Sequence, residues 1–303
     1  MTAEAGLQAE ASTPGGARPE VASFFDRATY TATHVVVDPA SRRAAIVDPV
    51  LDYDPKSGRT RTAAADEVIA FVRDRELTVE WLLETHVHAD HLTAAPYLKK
   101  TLGGRLAVGE QVTAVQRSFG KLFNAGSDFA TDGRQFDRLL REGDAFRIGG
   151  LEARVMHTPG HTPACVTYVV GDAAFVGDTM FMPDFGTARC DFPGGDARLL
   201  YRSIRRILAL PPETRLFMCH DYKAPGRDVF AWETTVGAER ARNIHIRDGI
   251  GEEEFVALRT ERDRRLEMPV LILPAVQVNM RAGAFPPAES NGTAYLKIPI
   301  DAL

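Results

Sequence analysis

Five of the eight histidines, His86, His88, His91, His157 and His161, fall in two short clusters, and His220 joins them as a strand-end candidate, leaving only His34 and His245 outside. Grouped imidazoles with carboxylates nearby are the donor set of a metal site. The first cluster is Thr85-His86-Val87-His88-Ala89-Asp90-His91. Four donor-type side chains in six residues cannot all face one way on a strand or helix, so this segment must be a loop that fans them around a cation. The second cluster is His157-Thr158-Pro159-Gly160-His161-Thr162. Asp178, in Val176-Gly177-Asp178-Thr179, and His220 are the third and fourth candidates. Nitrogen and carboxylate donors suit zinc, iron or manganese. The plainer reading makes single members into turn caps or core histidines, with His161 bracing the Pro159-Gly160 turn. That reading would require four placements at strand ends to coincide.

The elements that must position these residues are legible from periodicity. Ala28 to Asp38 and Ala44 to Val47 read as a β-hairpin ending at Asp48-Pro49, and Thr62 to Glu76 as a helix. Val79 to Leu83 is a buried strand that delivers the first cluster, followed by a helix over His91 to Thr101 and a strand over Arg105 to Val108. Hairpins are expected around Gly149-Gly150 and Gly171-Asp172. Ala197 to Leu208 is an amphipathic helix, Arg215 to Cys219 a strand, and the chain from Asp228 to Leu266 mostly helical. Hairpins and helices interleave without a regular βαβ rhythm, so the expected fold class is α/β, with helices packed outside a two-sheet core.

Bulk properties exclude several function classes. With 36 basic and 41 acidic residues, the formal net charge is −5, which argues against nucleic acid as a partner. No stretch approaches the roughly 20 apolar residues of a membrane span. Residues 1–20 read as a flexible tail rather than a targeting peptide, and the expected location is cytoplasmic. Cys165, Cys190 and Cys219 are odd in number and far apart, which fits a reducing compartment.

Taken together, T-H-x-H-x-D-H, H-T-P-G-H-T, G-D-T-x-F and a strand-end His resemble the metallo-β-lactamase superfamily over about Ala28 to Tyr222. The resemblance implies an αββα sandwich with metal at one edge. It divides the chain into a tail (1–20), a catalytic domain (21–227) and a C-terminal helical extension (228–303) packed on the same domain. In dinuclear members His86, His88 and His157 would hold one metal. Asp90, His91 and His220 would hold the second, with Asp178 bridging.

Further segments narrow the resemblance. They are Glu84 to Leu92 with Ala94 to Leu98, Ala164 to Val169, Gly186 to Phe192, His220-Asp221-Tyr222 and Asn279-Met280-Arg281. Together they resemble persulfide dioxygenases, most of all the bacterial glutathione-persulfide branch, with one departure at Thr187-Ala188-Arg189-Cys190. The family implies a single Fe(II) on His86, His157 and Asp178, leaving about three octahedral positions for O₂ and a persulfide sulfur. It also implies glutathione persulfide, O₂ and water as substrates, sulfite and glutathione as products, and a homodimer. On this reading His88, Asp90, His91 and His220 orient ligands and water rather than hold a second metal. Arg189, Tyr222 and Arg281 are the candidate substrate-binding residues, Arg189 by pairing with a glutathione carboxylate. The competing role for Arg189 is a salt bridge to Asp191. Cys190 is the one thiol worth testing for reactivity. The alternative function is a two-zinc thioester hydrolase of the glyoxalase II type, built on the same residues.

Overall fold

Along the strand over Thr31–Asp38, Val35 and Val37 join one apolar cluster and Val36 another, so both faces of the strand are covered. A computed structural model describes residues 18–302 and shows how. The first half of the chain contributes β1 (Glu20–Asp26), β2 (Thr31–Asp38), β3 (Arg43–Val47), β4 (Val50–Asp54), β5 (Arg59–Arg61) and α1 (Ala63–Asp74). It continues through β6 (Thr78–Leu83), β7 (Leu92–Thr93), α2 (Ala95–Leu102), β8 (Arg105–Gly109), α3 (Val112–Leu122) and β9 (Arg138–Leu140). The second half adds β10 (Ala145–Ile148), β11 (Leu151–His157), β12 (Val166–Val170), β13 (Ala173–Phe175), α4 (Ala197–Ile207) and β14 (Arg215–Phe217). Then come β15 (Glu233–Thr235), α5 (Val236–Arg242), α6 (Glu252–Asp263) and α7 (Ile272–Asn279).

Two six-stranded sheets result, β1-β2-β3-β6-β8-β9 and β10-β11-β12-β13-β14-β15, with a small β5-β4-β7 sheet beside them. The strand period of two sorts side chains between three layers of core. Val36, Ala45, Trp81, Ala107, Tyr168 and Phe175 fill the space between the sheets. Ile46, Leu82 and Val108 face α1, α2, α3 and α7 on one outer side. Ala174, Leu216 and Met218 face α4 and Phe255 of α6 on the other. The result is the αββα sandwich.

Helix α4 shows the local logic. Asp196 caps it, its Oδ1 accepting from the amides of Arg198 (2.7 Å) and Leu199 (2.9 Å). Leu200, Ile204 and Ile207 then form its buried stripe. The same helix carries the basic outer face of Arg198, Arg202 and Arg205, which pairs with acids of the C-terminal segment.

Several expectations need correction. The segment His91 to Thr101 is not helical throughout: Leu92–Thr93 pairs with β4, and the helix starts at Ala95, with Pro96 in its first turn. Strand β1 and helix α3 have no counterpart in the sequence reading. The span from Asp228 to Leu266, read as mostly helical, holds α5 and α6 and also the strand β15, which extends the second sheet. Most of the expected tail, residues 1–17, lies outside the described residues, and Glu20 already belongs to β1. No described helix is long and apolar enough to cross a membrane.

Candidate metal centre

Strand β6 ends at Leu83, and the chain then enters the loop carrying His86, His88, Asp90 and His91, all at most one-fifth exposed. Asp48, at the end of β3, holds the start of this loop by accepting from the Thr85 amide (2.7 Å) and hydroxyl (2.9 Å). Because the Thr85 hydroxyl donates to Asp48, it accepts from His86 Nδ1 (3.0 Å) and leaves Nε2 as the free lone pair of His86.

The turn at Pro159-Gly160 brings His161 to the same place. Gly160 has φ +141°, and a Cβ there would stand 2.3 Å from the Leu200 backbone, so only glycine lets this turn lie on the start of α4. His161 Nδ1 donates to the Arg189 carbonyl (2.8 Å), which again leaves Nε2 free. Gly177 (φ +52°) makes the corresponding close approach to Thr85 and delivers Asp178. Asp178 Oδ2 stands 3.8 Å from His86 Nε2 and 3.6 Å from His161 Nε2.

Beside this triad a second set converges. Donor atoms of His88, Asp90, His91 and His220 lie within 4.8 Å of one another. His220 arrives where the two sheets meet: Ala32 donates to the Cys219 carbonyl (2.7 Å), and Thr31 bridges to His220. His220 Nε2 faces Asp90 Oδ2 at 3.0 Å and Asp178 Oδ1 at 3.3 Å. His88 turns Nε2 toward Asp48 (3.0 Å) and Glu84 (3.3 Å). Burial alone would lower the His88 pKa, but those two acids outweigh it and hold it well above the ordinary value. Burial, with His88 and His161 nearby, pushes His86 well below. Burial would likewise raise the Asp90 carboxyl, yet His220 and His91 keep it below the usual carboxylate range.

The residues fit a metal ion. His86 Nε2, His88 Nδ1, Asp90 Oδ2, His91 Nε2, Asp178 Oδ1 and His220 Nε2 are buried without a hydrogen-bond partner, and they point at one another. Each such orphan costs about 1–3 kcal/mol, a cost that cation binding removes.

His157 is not part of this cluster. It ends β11, is half-buried, and its Nε2 bonds to the Pro163 carbonyl (2.9 Å) of its own loop. The expected set His86, His157 and Asp178 is therefore corrected to His86, His161 and Asp178, and the histidine read as a turn brace is the one that converges.

The site opens into a cavity of about 600 Å³, walled in part by Phe181, Phe185, Tyr222 and Phe192. Tyr222 is there, its ring stacked beside His220. Arg189 also borders the cavity, but its guanidinium grips Asp191 through two bonds (2.6 and 2.7 Å) and the Glu267 carbonyl (2.6 Å). The salt-bridge role is the one the structure shows. Arg281 lies elsewhere, over the Phe129 ring at 4.2 Å and lining a separate small cavity. Cys190 is buried outside the main cavity, and burial pushes its thiol pKa up, as it does for Cys165 and Cys219. None has the low pKa of a reactive thiol.

Sequence reasoning quoted Asn279 within a resembling segment but gave it no part in steadying the donors. Asn279, at the end of α7, donates to the carbonyls of His88 (2.9 Å) and His91 (2.7 Å) and accepts from the Thr93 amide (2.9 Å). Its contacts run 186 to 191 residues along the chain, so no local pattern could report them.

A sequence profile of the metallo-beta-lactamase superfamily matches residues 29–220. A probable metallo-hydrolase of Burkholderia pseudomallei is 61% identical over 93% of this chain and 99% of its own. The human mitochondrial persulfide dioxygenase ETHE1 is 29% identical over 87% of this chain and 89% of its own. The crystal structure of ETHE1 from Myxococcus xanthus superposes with a TM-score of 0.69 at 29% identity, covering 88% of this chain and all of that one. With the motifs, the αββα layers and the converging donors in agreement, the chain belongs to the metallo-beta-lactamase superfamily.

Proposed function

We propose that the protein is a persulfide dioxygenase that oxidises glutathione persulfide with O₂ and water to sulfite and glutathione. The reaction balances as GSSH + O₂ + H₂O → GSH + SO₃²⁻ + 2H⁺, with four electrons passing from the outer sulfur to O₂. One observation carries the reading: two imidazole Nε2 atoms and one carboxylate, from His86, His161 and Asp178, converge beside a cavity that His161 and Asp178 border and that is walled in part by aromatic rings. That is the donor set of mononuclear non-haem Fe(II) oxygenases. When bound there, iron supplies the one-electron steps that triplet O₂ requires and that redox-silent zinc lacks.

The chain's own groups set the conditions for this chemistry. The Arg189 carbonyl and the Thr85 hydroxyl fix the tautomers of His161 and His86, so neither ring needs to rotate to present a lone pair. Phe181, Phe185 and Tyr222 limit water around the reacting sulfur. His88, Asp90, His91 and His220 act as orienting groups around the iron ligands in a cytoplasmic homodimer.

The second reading, a two-zinc thioester hydrolase, is favoured by the intact second donor set and by the hydrolase name of the B. pseudomallei relative. Metal exchange separates the two. The proposal expects the Fe(II) protein, with one ion per chain, to turn over glutathione persulfide and the zinc-exchanged protein to be inactive on it. Two tightly bound zinc ions per chain with rapid cleavage of S-D-lactoylglutathione would overturn it.

A further inference from the structure

Three arginines border the main cavity: Arg189, Arg259 and Arg262. Two are already neutralised. Arg189 is bidentate on Asp191, and the fully buried Arg259 is ion-paired with Asp263, donating from Nε (2.9 Å) with Nη2 at 2.7 Å from the same oxygen but without a hydrogen bond. The other oxygen of Asp263 accepts from the Cys190 amide at 3.0 Å, and Asp263 makes no pair with Arg262. Arg262, by contrast, has no carboxylate within ion-pair distance and makes no side-chain hydrogen bond among the described residues. Glu267 borders the same wall, but its carboxylate is not paired with Arg262. Of the three guanidinium groups on the wall, Arg262 is therefore the one whose donors are unpaired among the described residues, and the Glu267 carboxylate on the same wall is equally unpaired.

Arg262 is exposed at the edge of the cavity, on a helix that is itself well anchored. Arg262 sits in the last turn of α6, a helix whose first-turn acids bind α4: Glu252 pairs with Arg198 (2.6 Å) and Arg202 (3.0 Å). Phe255 is buried against Tyr201 of α4. Arg259 and Arg262, three apart, share one side of the helix, the side that meets the cavity. Burial and the neighbouring Arg259 charge both push the Arg262 guanidinium pKa down, which means the position would gain from an incoming anion.

We propose that Arg262 is the anion-binding end of the substrate cavity, receiving a carboxylate of a small carboxylated thiol whose sulfur lies toward His86, His161 and Asp178. The inference rests on the persulfide reading for the identity of the sulfur group, but not for the anion site itself. It takes over the role expected of Arg189, whose donors are occupied. A cavity of about 600 Å³ is in the range that holds a molecule of glutathione's size with one end at the metal and the other at the rim.

Calorimetric titration of glutathione into the metal-loaded protein tests it. Arg262→Ala should weaken binding about tenfold, the worth of a charge-assisted pair, Arg262→Lys less, and Arg262→Glu more. Raising KCl from 50 to 500 mM should weaken wild-type binding and leave Arg262→Ala much less affected. Equal affinity and equal salt dependence in wild type and Arg262→Ala would overturn the proposal, as would no detectable glutathione binding by wild type. Failure of the iron protein to consume O₂ with glutathione persulfide would overturn the dioxygenase reading while leaving this binding comparison intact.

Discussion

At His161 a single hydrogen bond decides the chemistry. Donating from Nδ1 to the Arg189 carbonyl leaves Nε2 as a base toward Asp178, whereas His157 spends its Nε2 on Pro163. The two residues are four apart in one motif, and nothing in their types tells which side of the Pro-Gly turn faces the metal. Gly160 decides it by seating the turn on α4. His161→Ala should lower bound iron roughly tenfold or more, while His157→Ala keeps it and loses only about 1 kcal/mol of stability. Metal analysis after desalting, with thermal melts, checks both. Another single residue sets a pH dependence. Glu239 is buried beside Asn243, and burial pushes its pKa from 4.5 up to about 8. The folded state then holds a proton that the unfolded chain releases, so stability falls as pH rises from about 4.5 to about 8. Glu239→Gln should remove up to ~1.4 kcal/mol per pH unit of that fall. Melts of both proteins between pH 5 and pH 8.5 would show the difference, and parallel curves would refute it.

Among the elements, α7 has a role that its sequence conceals. Ile272, Ala275 and Val276 form an ordinary buried apolar stretch. Folded, the helix places Asn279 under the metal loop, where one amide group satisfies two carbonyls and one N–H. Asn279→Ala leaves three buried backbone groups unpaired and should cost about 2–4 kcal/mol while loosening the loop that carries His88, Asp90 and His91. Denaturant unfolding measures the first effect, and iron release to a chelator the second. Unchanged iron release would show that α7 supports the fold alone. Strands were easier to read than this, because the unbroken apolar runs Val35-Val36-Val37 of β2 and Trp81-Leu82-Leu83 of β6 announce strands covered on both faces. Helix α3 was harder: Val115 and Phe119 face the core, but Gln116 is buried on the Met280 carbonyl, a polar residue filling an interior position.

For the whole molecule, two sheets meet where β2 and the end of β14 touch, and that edge gathers donors from residues 86 to 220. The clustering of five histidines made the existence of the centre legible, since short-range spacing survives folding unchanged. What was not legible was long-range: the partner that occupies Arg189, the displacement of Arg281 to Phe129, and the unpaired Arg262 all depend on which segments become neighbours. The central claim is that this assembly spends O₂ on a persulfide sulfur. The most direct measurement is oxygen uptake by the Fe(II) protein on addition of glutathione persulfide, with sulfite followed in the same vessel. The account predicts rapid uptake with one sulfite formed per O₂ consumed. Iron-replete protein that consumes no oxygen and forms no sulfite would contradict it.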